Sequence, residues 1–135
     1  MKPTDSELEI LHVLWTNGPS TVRQVHEVLG TNRDIGYTTA LKLMQIMLDK
    51  GLLTREVDTK NHVYRPAELQ EITQTRVIKG LATIAFGGSP VSLALRALGS
   101  GNTSAAELEQ VKLLIQEIEN QQHISNSQLP TGESA

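Results

Sequence analysis

Apolar residues recur along the first third of the chain at three- and four-residue intervals, and turn-forming residues fall where each run stops. In "TDSELEILHVLWTNG", residues 4–18, Leu8, Leu11, Leu14 and Trp15 share one side of a helix, because a 3.6-residue period stacks such positions. Thr4 and Glu7 stand in capping-box spacing at its start, and Asn17-Gly18-Pro19 stops it. "STVRQVHEVLG", residues 20–30, repeats the arrangement: Thr21 and Gln24 form a second box, Val22, Val25, Val28 and Leu29 the buried side, and Gly30 the stop. "GYTTALKLMQIMLDKG", residues 36–51, predicts a third helix with Ala40, Leu41, Met44, Met47 and Leu48 on its apolar side. Its opposite side is a polar stripe of Thr38, Lys42, Gln45 and Asp49, and Lys50 followed by Gly51 suits a last turn and a left-handed cap.

The period then changes from helical to alternating. Leu53, Arg55 and Val57 alternate with Thr54 and Glu56, Asp58-Thr59-Lys60-Asn61 supplies turn residues, and "HVYR" resumes extended chemistry as far as Pro66. Three short helices followed by a hairpin is the order of a winged helix. In that fold the third helix enters the major groove of DNA and the hairpin flanks it, which gives the polar stripe a purpose.

Beyond Pro66 the chain reads as helical. Leu69, Ile72, Val77, Leu81, Ile84 and Ala85 give an apolar side from Glu68 to about Phe86, Gly87-Gly88-Ser89 breaks it, and Pro90 suits a helix first turn. "VSLALRAL", residues 91–98, is nearly all apolar, Gly99-Ser100-Gly101 forms a hinge, and Thr103 or Ser104 caps a last helix reaching about Gln122. Three helices of this length leave much apolar surface uncovered. A second copy is the simplest cover, with Leu81, Ile84, Leu95, Leu98, Val111, Leu114, Ile115 and Ile118 as its interface. Packing on the chain's own N-terminal half is the other way to bury that face. The expected fold is thus mostly α: a winged helix-turn-helix domain of three helices and a β-hairpin wing at 1–66, a helical dimerisation domain at 67–122, and a disordered tail at 123–135.

Composition narrows the functions available. At 135 residues and 39% hydrophobic, the chain can bury a modest core in one or two small domains. No apolar run reaches membrane-spanning length and the N-terminus lacks a signal-peptide pattern, so no membrane insertion and a cytoplasmic location are expected. Cysteine is absent, which removes disulfides, thiolate catalysis and Cys-ligated metals. The net charge of −3 hides an asymmetry: eight Lys/Arg balance eight Asp/Glu in residues 1–66, whereas 67–135 carry four against seven. Since Asp5, Glu7 and Glu9 crowd into the first helix, the later elements of the first half are locally basic enough to meet phosphates.

Catalytic patterns fail on their spacing. "HEVLG" has Gly30 where a zinc-protease helix needs a second histidine, "FGGSP" lacks the Lys-Ser/Thr of a phosphate loop, and no serine stands in a G-x-S-x-G elbow. No catalytic residue, metal site or cofactor is expected, and His12 reads as a partly buried or capping histidine.

The segments "SELEILHVLW" (6–15), "STVRQVHEVL" (20–29), "YTTALKLMQIMLDKGLL" (37–53) and "VYRP" (63–66) resemble, in order and spacing, the penicillinase-repressor family of BlaI and MecI, with the copper-responsive CopY as a relative. The resemblance implies a homodimeric repressor of transcription, dimerised through its C-terminal half on an inverted-repeat operator with TACA/TGTA-like arms. In the beta-lactam branch it further implies a membrane sensor protease as a partner. Ile46 stands where relatives often carry a basic residue, and Arg96-Ala97 aligns with the Asn-Phe bond that is cut in that branch. The cysteine-rich copper tail has no counterpart. The Gly87-Gly88 and Gly99–Gly101 hinges are alternative points of cleavage or unfolding.

On a winged helix, Thr38 and Thr39 are assigned to phosphate or thymine-methyl contact, Lys42 and Gln45 to base edges, and Ile46 to an apolar contact. Ser20, Thr21 and Arg23 at the start of the second helix, Tyr37, and Lys60 and Asn61 in the wing are assigned to backbone phosphates. His62 could touch a phosphate when protonated or sit exposed in the hairpin. The alternative function is a winged-helix module that binds proteins and never touches DNA, since fold alone does not decide. An apolar or acidic third-helix face would favour it.

Overall fold

The first helix, α1 (Asp5–Asn17), starts at a reciprocal cap: Thr4 N–H donates to Glu7 Oε1 at 2.9 Å and Glu7 N–H donates to Thr4 Oγ1 at 3.2 Å. The second, α2 (Val22–Leu29), starts the same way, with Thr21 N–H on Gln24 Oε1 at 2.9 Å and Gln24 N–H on Thr21 Oγ1 at 3.2 Å. Each cap satisfies amide donors that the helix itself leaves unpaired and contributes about 1 kcal/mol. The third, α3 (Tyr37–Lys50), closes on Gly51, whose φ of 84° is left-handed and whose N–H reaches the carbonyls of Met47 and Leu48. The computed structural model of the chain describes residues 2–31, 34–58 and 60–128.

Strands β1 (Leu53–Asp58) and β2 (Asn61–Pro66) pair antiparallel, in register from Leu53 with Pro66 to Asp58 with Asn61. Thr59, expected in the turn, lies outside the described residues. A further rung joins this wing to the helices: Ser20 N–H donates to Tyr64 O at 3.0 Å, and Tyr64 N–H to Ser20 O at 2.8 Å. Among the described residues the wing is buried at its base, at Leu53 and Tyr64, and Val57 near its tip is 68% exposed.

The core is Ile10, Leu11, Val13 and Leu14 of α1, Val22, Val25 and Leu29 of α2, Ala40, Met44 and Met47 of α3, with Leu52, Leu53 and Tyr64. Leu8, Trp15, Leu41 and Leu48 pack at its edge, whereas Val28 is exposed and so departs from the expected buried side. Helix α1 buries a wider arc than one stripe, because α2, α3 and β2 all pack on it. That is why Ile10 and Val13 join the core.

Helices α4 (Gln70–Ala85), α5 (Pro90–Gly99) and α6 (Ala105–Gln128) follow. Contacts group the chain into Met1–Ser89 and Pro90–Ala135, so α4 lies in one unit with the winged helix. In the second unit, Ser104 and Glu107 form a third reciprocal cap, Ser104 N–H on Glu107 Oε1 at 2.9 Å and Glu107 N–H on Ser104 Oγ at 3.1 Å. Helix α6 continues past the expected end at Gln122 as far as Gln128. Residues 123–128, expected to begin a disordered tail, extend the helix, since none of them is Gly or Pro to break it. Residues 129–135 lie outside the described residues. The described residues thus form a mostly α fold, six helices and one hairpin, with winged helix-turn-helix order in the first half.

Candidate nucleic-acid interface

Burial of Ala40, Met44 and Met47 fixes the rotation of α3 about its own axis. Thr38, Thr39, Lys42, Gln45, Ile46 and Asp49 are consequently exposed. This face carries hydroxyls, an ammonium, an amide and, near its C-terminal end, the Asp49 carboxylate, with one apolar side chain, Ile46, that is 37% exposed. Its N-cap, Gly36, makes no side-chain bond, so the first-turn amides keep their capacity for an acceptor from outside.

Beside α3 opens a cleft of about 570 Å³. Its walls are the start of α2 (Thr21, Arg23, Gln24), the N-terminal part of α3 (Tyr37, Leu41) and the wing turn and start of β2 (Lys60, Asn61, His62) with Tyr64. The Ser20–Tyr64 rung explains the meeting: it ties the residue before the α2 N-cap to the base of the wing. Arg23, Tyr37, Lys60, Asn61 and His62 are exposed and Thr21 is half-buried, its hydroxyl already accepting from Gln24.

Ser20 departs from its expected solvent-facing place. It is 5% exposed, and its hydroxyl donates to Gly18 O at 2.8 Å. It holds the wing against α2 and has no open side from which to meet phosphate. His12, expected to be partly buried or capping, is exposed in the middle of α1.

Gln24 and His26, both outside the expected set, also bear on the cleft. Gln24 forms part of its wall while serving the cap; its spacing from Thr21 announced only the cap. His26 Nε2 donates to Ile35 O at 2.8 Å and its ring meets Tyr37 edge-on, centroids 6.0 Å apart. It thereby supports the turn that leads into α3, a contact across nine residues that no local pattern announces.

The other end of α3 is fixed by charge. Lys50 Nζ reaches both oxygens of Glu7, which is buried on α1. Burial pushes the Glu7 carboxyl up, but the Lys50 bond, the Thr4 amide and the Lys50 charge together bring it below the ordinary carboxylate range. Along the wing, Arg65 Nη2 lies 3.2 Å from Glu56 Oε1.

The residues expected at a dimer contact lie on open faces. In the first unit Leu81 and Ile84 of α4 are exposed; in the second, Leu95, Leu114, Ile115 and Ile118 are exposed, and Leu98 and Val111 half-buried. Ile78, Val91, Leu108 and Leu113 are exposed too. Among the described residues no three His, Asp or Glu side chains gather as a metal would require, and no single helix is long and apolar enough to cross a membrane.

A family model described as Penicillinase repressor matches residues 3–117. Two curated relatives, each a transcriptional regulator BlaI of Mycobacterium tuberculosis, from strains CDC 1551 / Oshkosh and ATCC 25618 / H37Rv, are 34% identical over 87 residues. The match covers 63% of this chain and 63% of each relative, so the chain spans less than two thirds of their length. Among solved structures, the transcriptional regulator Tm0710 from Thermotoga maritima is similar at a TM-score of 0.51 and 15% identity, over 93% of this chain and 80% of that one. Similarity at that identity concerns the fold alone.

Proposed function

The chain belongs to the penicillinase repressor family, and from that premise we propose that it is a homodimeric transcriptional repressor gripping an inverted-repeat operator through the third helix and wing of each subunit. The family is one of repressors and not of enzymes. The observation that carries the reading is that the polar face of α3 is exposed while the α2 start, the N-terminal part of α3 (Tyr37, Leu41) and the wing residues Lys60, Asn61 and His62 meet around one cleft beside it. Lys42 and Gln45 reach base edges in the major groove, Thr38 and Thr39 meet phosphate or a thymine methyl, and Ile46 adds an apolar contact. Thr21, Arg23, Tyr37, Lys60, Asn61 and, when protonated, His62 meet phosphates on either side. Ser20 supports this set from behind.

A protein-docking module would want an apolar or acidic α3 face. The face holds one carboxylate, Asp49, and one apolar side chain, Ile46, but its other exposed side chains are hydroxyls, an amide and the cation Lys42, which favours DNA.

The exposed apolar side chains of α4, α5 and α6 need a cover, and a second copy related by a two-fold axis supplies it. Release follows when the heads are separated, by disruption of the dimer or by a cut from a sensor protease. Arg96-Ala97 departs from the Asn-Phe bond and lies within α5, so the glycines flanking that helix, Gly87, Gly88 and Gly101, which hold positive φ in exposed turns, are the alternative points of cleavage or unfolding. Footprinting on the promoter of the chain's own operon tests the reading. Two protected half-sites on one side of the duplex support it, and an unprotected promoter, with no selected site elsewhere, contradicts it.

A further inference from the structure

We infer that the contact of Glu68 with Arg76 and Thr73 sets the angle at which α4 leaves the winged helix, and thereby the half-site spacing that the protein accepts. This inference rests on the dimeric reading above.

Residues 67–69 are the whole connection between the wing and α4. Three unrestrained residues would let the helix swing, because each retains two soft dihedrals. They are restrained. Ala67 N–H donates to Leu52 O at 2.9 Å, which ties the connection to the turn after α3. Both oxygens of Glu68 are then occupied from α4 itself. Arg76 Nη1 donates to Oε1 at 2.7 Å and Nη2 to Oε2 at 2.9 Å, while Thr73 Oγ1 donates to Oε1 at 2.7 Å.

The geometry matters more than the energy. Glu68 and Arg76 are 32% and 43% exposed, and half-exposed pairs add little to stability. A guanidinium held on a carboxylate by two parallel bonds nevertheless fixes direction as well as distance, which a single ammonium contact does not. Thr73, buried against the body, carries that direction inward. Farther along the same face of α4, the Lys2 side chain lies beside Gly80, seven residues from Thr73: a Cβ placed there would meet Lys2 Nζ at 3.6 Å.

Helix α4 has 16 residues and is about 24 Å long. A swing of about 10° at its base moves its far end by about 4 Å, close to the rise of one base pair, about 3.4 Å. The end that moves carries Leu81 and Ile84 toward the proposed dimer contact. A clasp at residues 68–76 therefore acts on the separation of two heads while leaving each head's own reading face untouched.

The test is selection from a library of inverted half-sites separated by spacers of every length up to one helical turn, alongside titration of a DNA carrying a single half-site. Wild-type protein is expected to select one spacing. Arg76→Glu, which sets like charges against each other, should keep single-half-site affinity within about two-fold yet select spacings spread over several base pairs. Adding Glu68→Arg to that variant rebuilds the fork in reverse and should restore the single spacing. If Arg76→Glu does not fold, Glu68→Gln, which keeps the shape and removes the charge, is measured in the same way. An unchanged spacing in the single variant overturns this inference alone. Wild-type protein that selects no paired half-sites overturns the dimeric reading, and this inference with it.

Discussion

Lys50 Nζ lies 2.8 Å from Glu7 Oε2 and 2.9 Å from Oε1, bonding the last turn of α3 to the first turn of α1. The Glu7 side chain is 2% exposed, and Thr4 N–H is its other donor. A buried carboxylate stripped of its cation is costly, so Lys50→Met is expected to destabilise the fold by about 2–4 kcal/mol. Urea denaturation reads this as a lower midpoint at unchanged slope. A loss under about 0.5 kcal/mol would mean that water replaces the ammonium without penalty.

The same pair gives a pH dependence whose sign follows from the lowered carboxyl of Glu7. A carboxyl lowered by folding stabilises fully above its ordinary value, about 4.3, and loses that contribution as pH falls through the lower folded value. Glu68, lowered chiefly by Arg76, and Glu107, lowered by the Ser104 amide, act in the same direction. Stability should therefore fall on acidification below about pH 4.3, and Glu7→Gln should flatten that limb while lowering the plateau at neutral pH. An equally steep acid limb in the variant would assign the dependence to other carboxyls.

Gln45 is exposed at the middle of the α3 polar stripe, placed to reach a base edge. Gln45→Ala is expected to relax specificity at one base pair by about 1–3 kcal/mol and to leave the salt slope alone. Operators selected by the variant should differ from wild type at that position only. Identical selected operators would remove Gln45 from the reading set.

Lys60 and Ser20 form a matched contrast, one exposed on the wing and one buried beneath it. Lys60→Ala should weaken binding to all sequences alike and lower the salt slope by about one ion. Ser20→Ala should leave the slope unchanged, because its hydroxyl is spent on Gly18 O. A slope that falls in the serine variant would return Ser20 to the phosphate contacts.

Most of the winged helix is written in local spacing. The Thr4–Glu7 and Thr21–Gln24 boxes, the αL cap at Gly51 and the shift to alternation at Leu53 each depend on residues within four positions of one another. The exposed face of α3 was legible for the same reason, since a helix with Ala40, Met44 and Met47 buried has one way to turn its other side out. Long-range partners were not. Glu7 reads as a cap from sequence, yet it also receives an ammonium 43 residues away. Ser20 reads as an exposed residue before a helix, and only its pairing with Tyr64 buries it. Helix α6 runs past Gln122 because a sequence without Gly or Pro carries no stop signal there, however weak its apolar period.

Affinity on this account comes from two heads held together. A single winged helix contacts few base pairs, and linkage supplies the second half-site at high effective concentration, a gain of about 10²–10⁴ in binding. Leu114 and Ile118 lie on the exposed face of α6, and a charge on each would be buried without a partner in the proposed interface. The most direct measurement is sedimentation and operator titration of the Leu114→Asp, Ile118→Asp double variant. The account predicts a folded monomer that binds a single half-site as wild type does and an inverted repeat about 100-fold or more weakly than wild type. A variant that remains dimeric and binds the inverted repeat with unchanged affinity would contradict it.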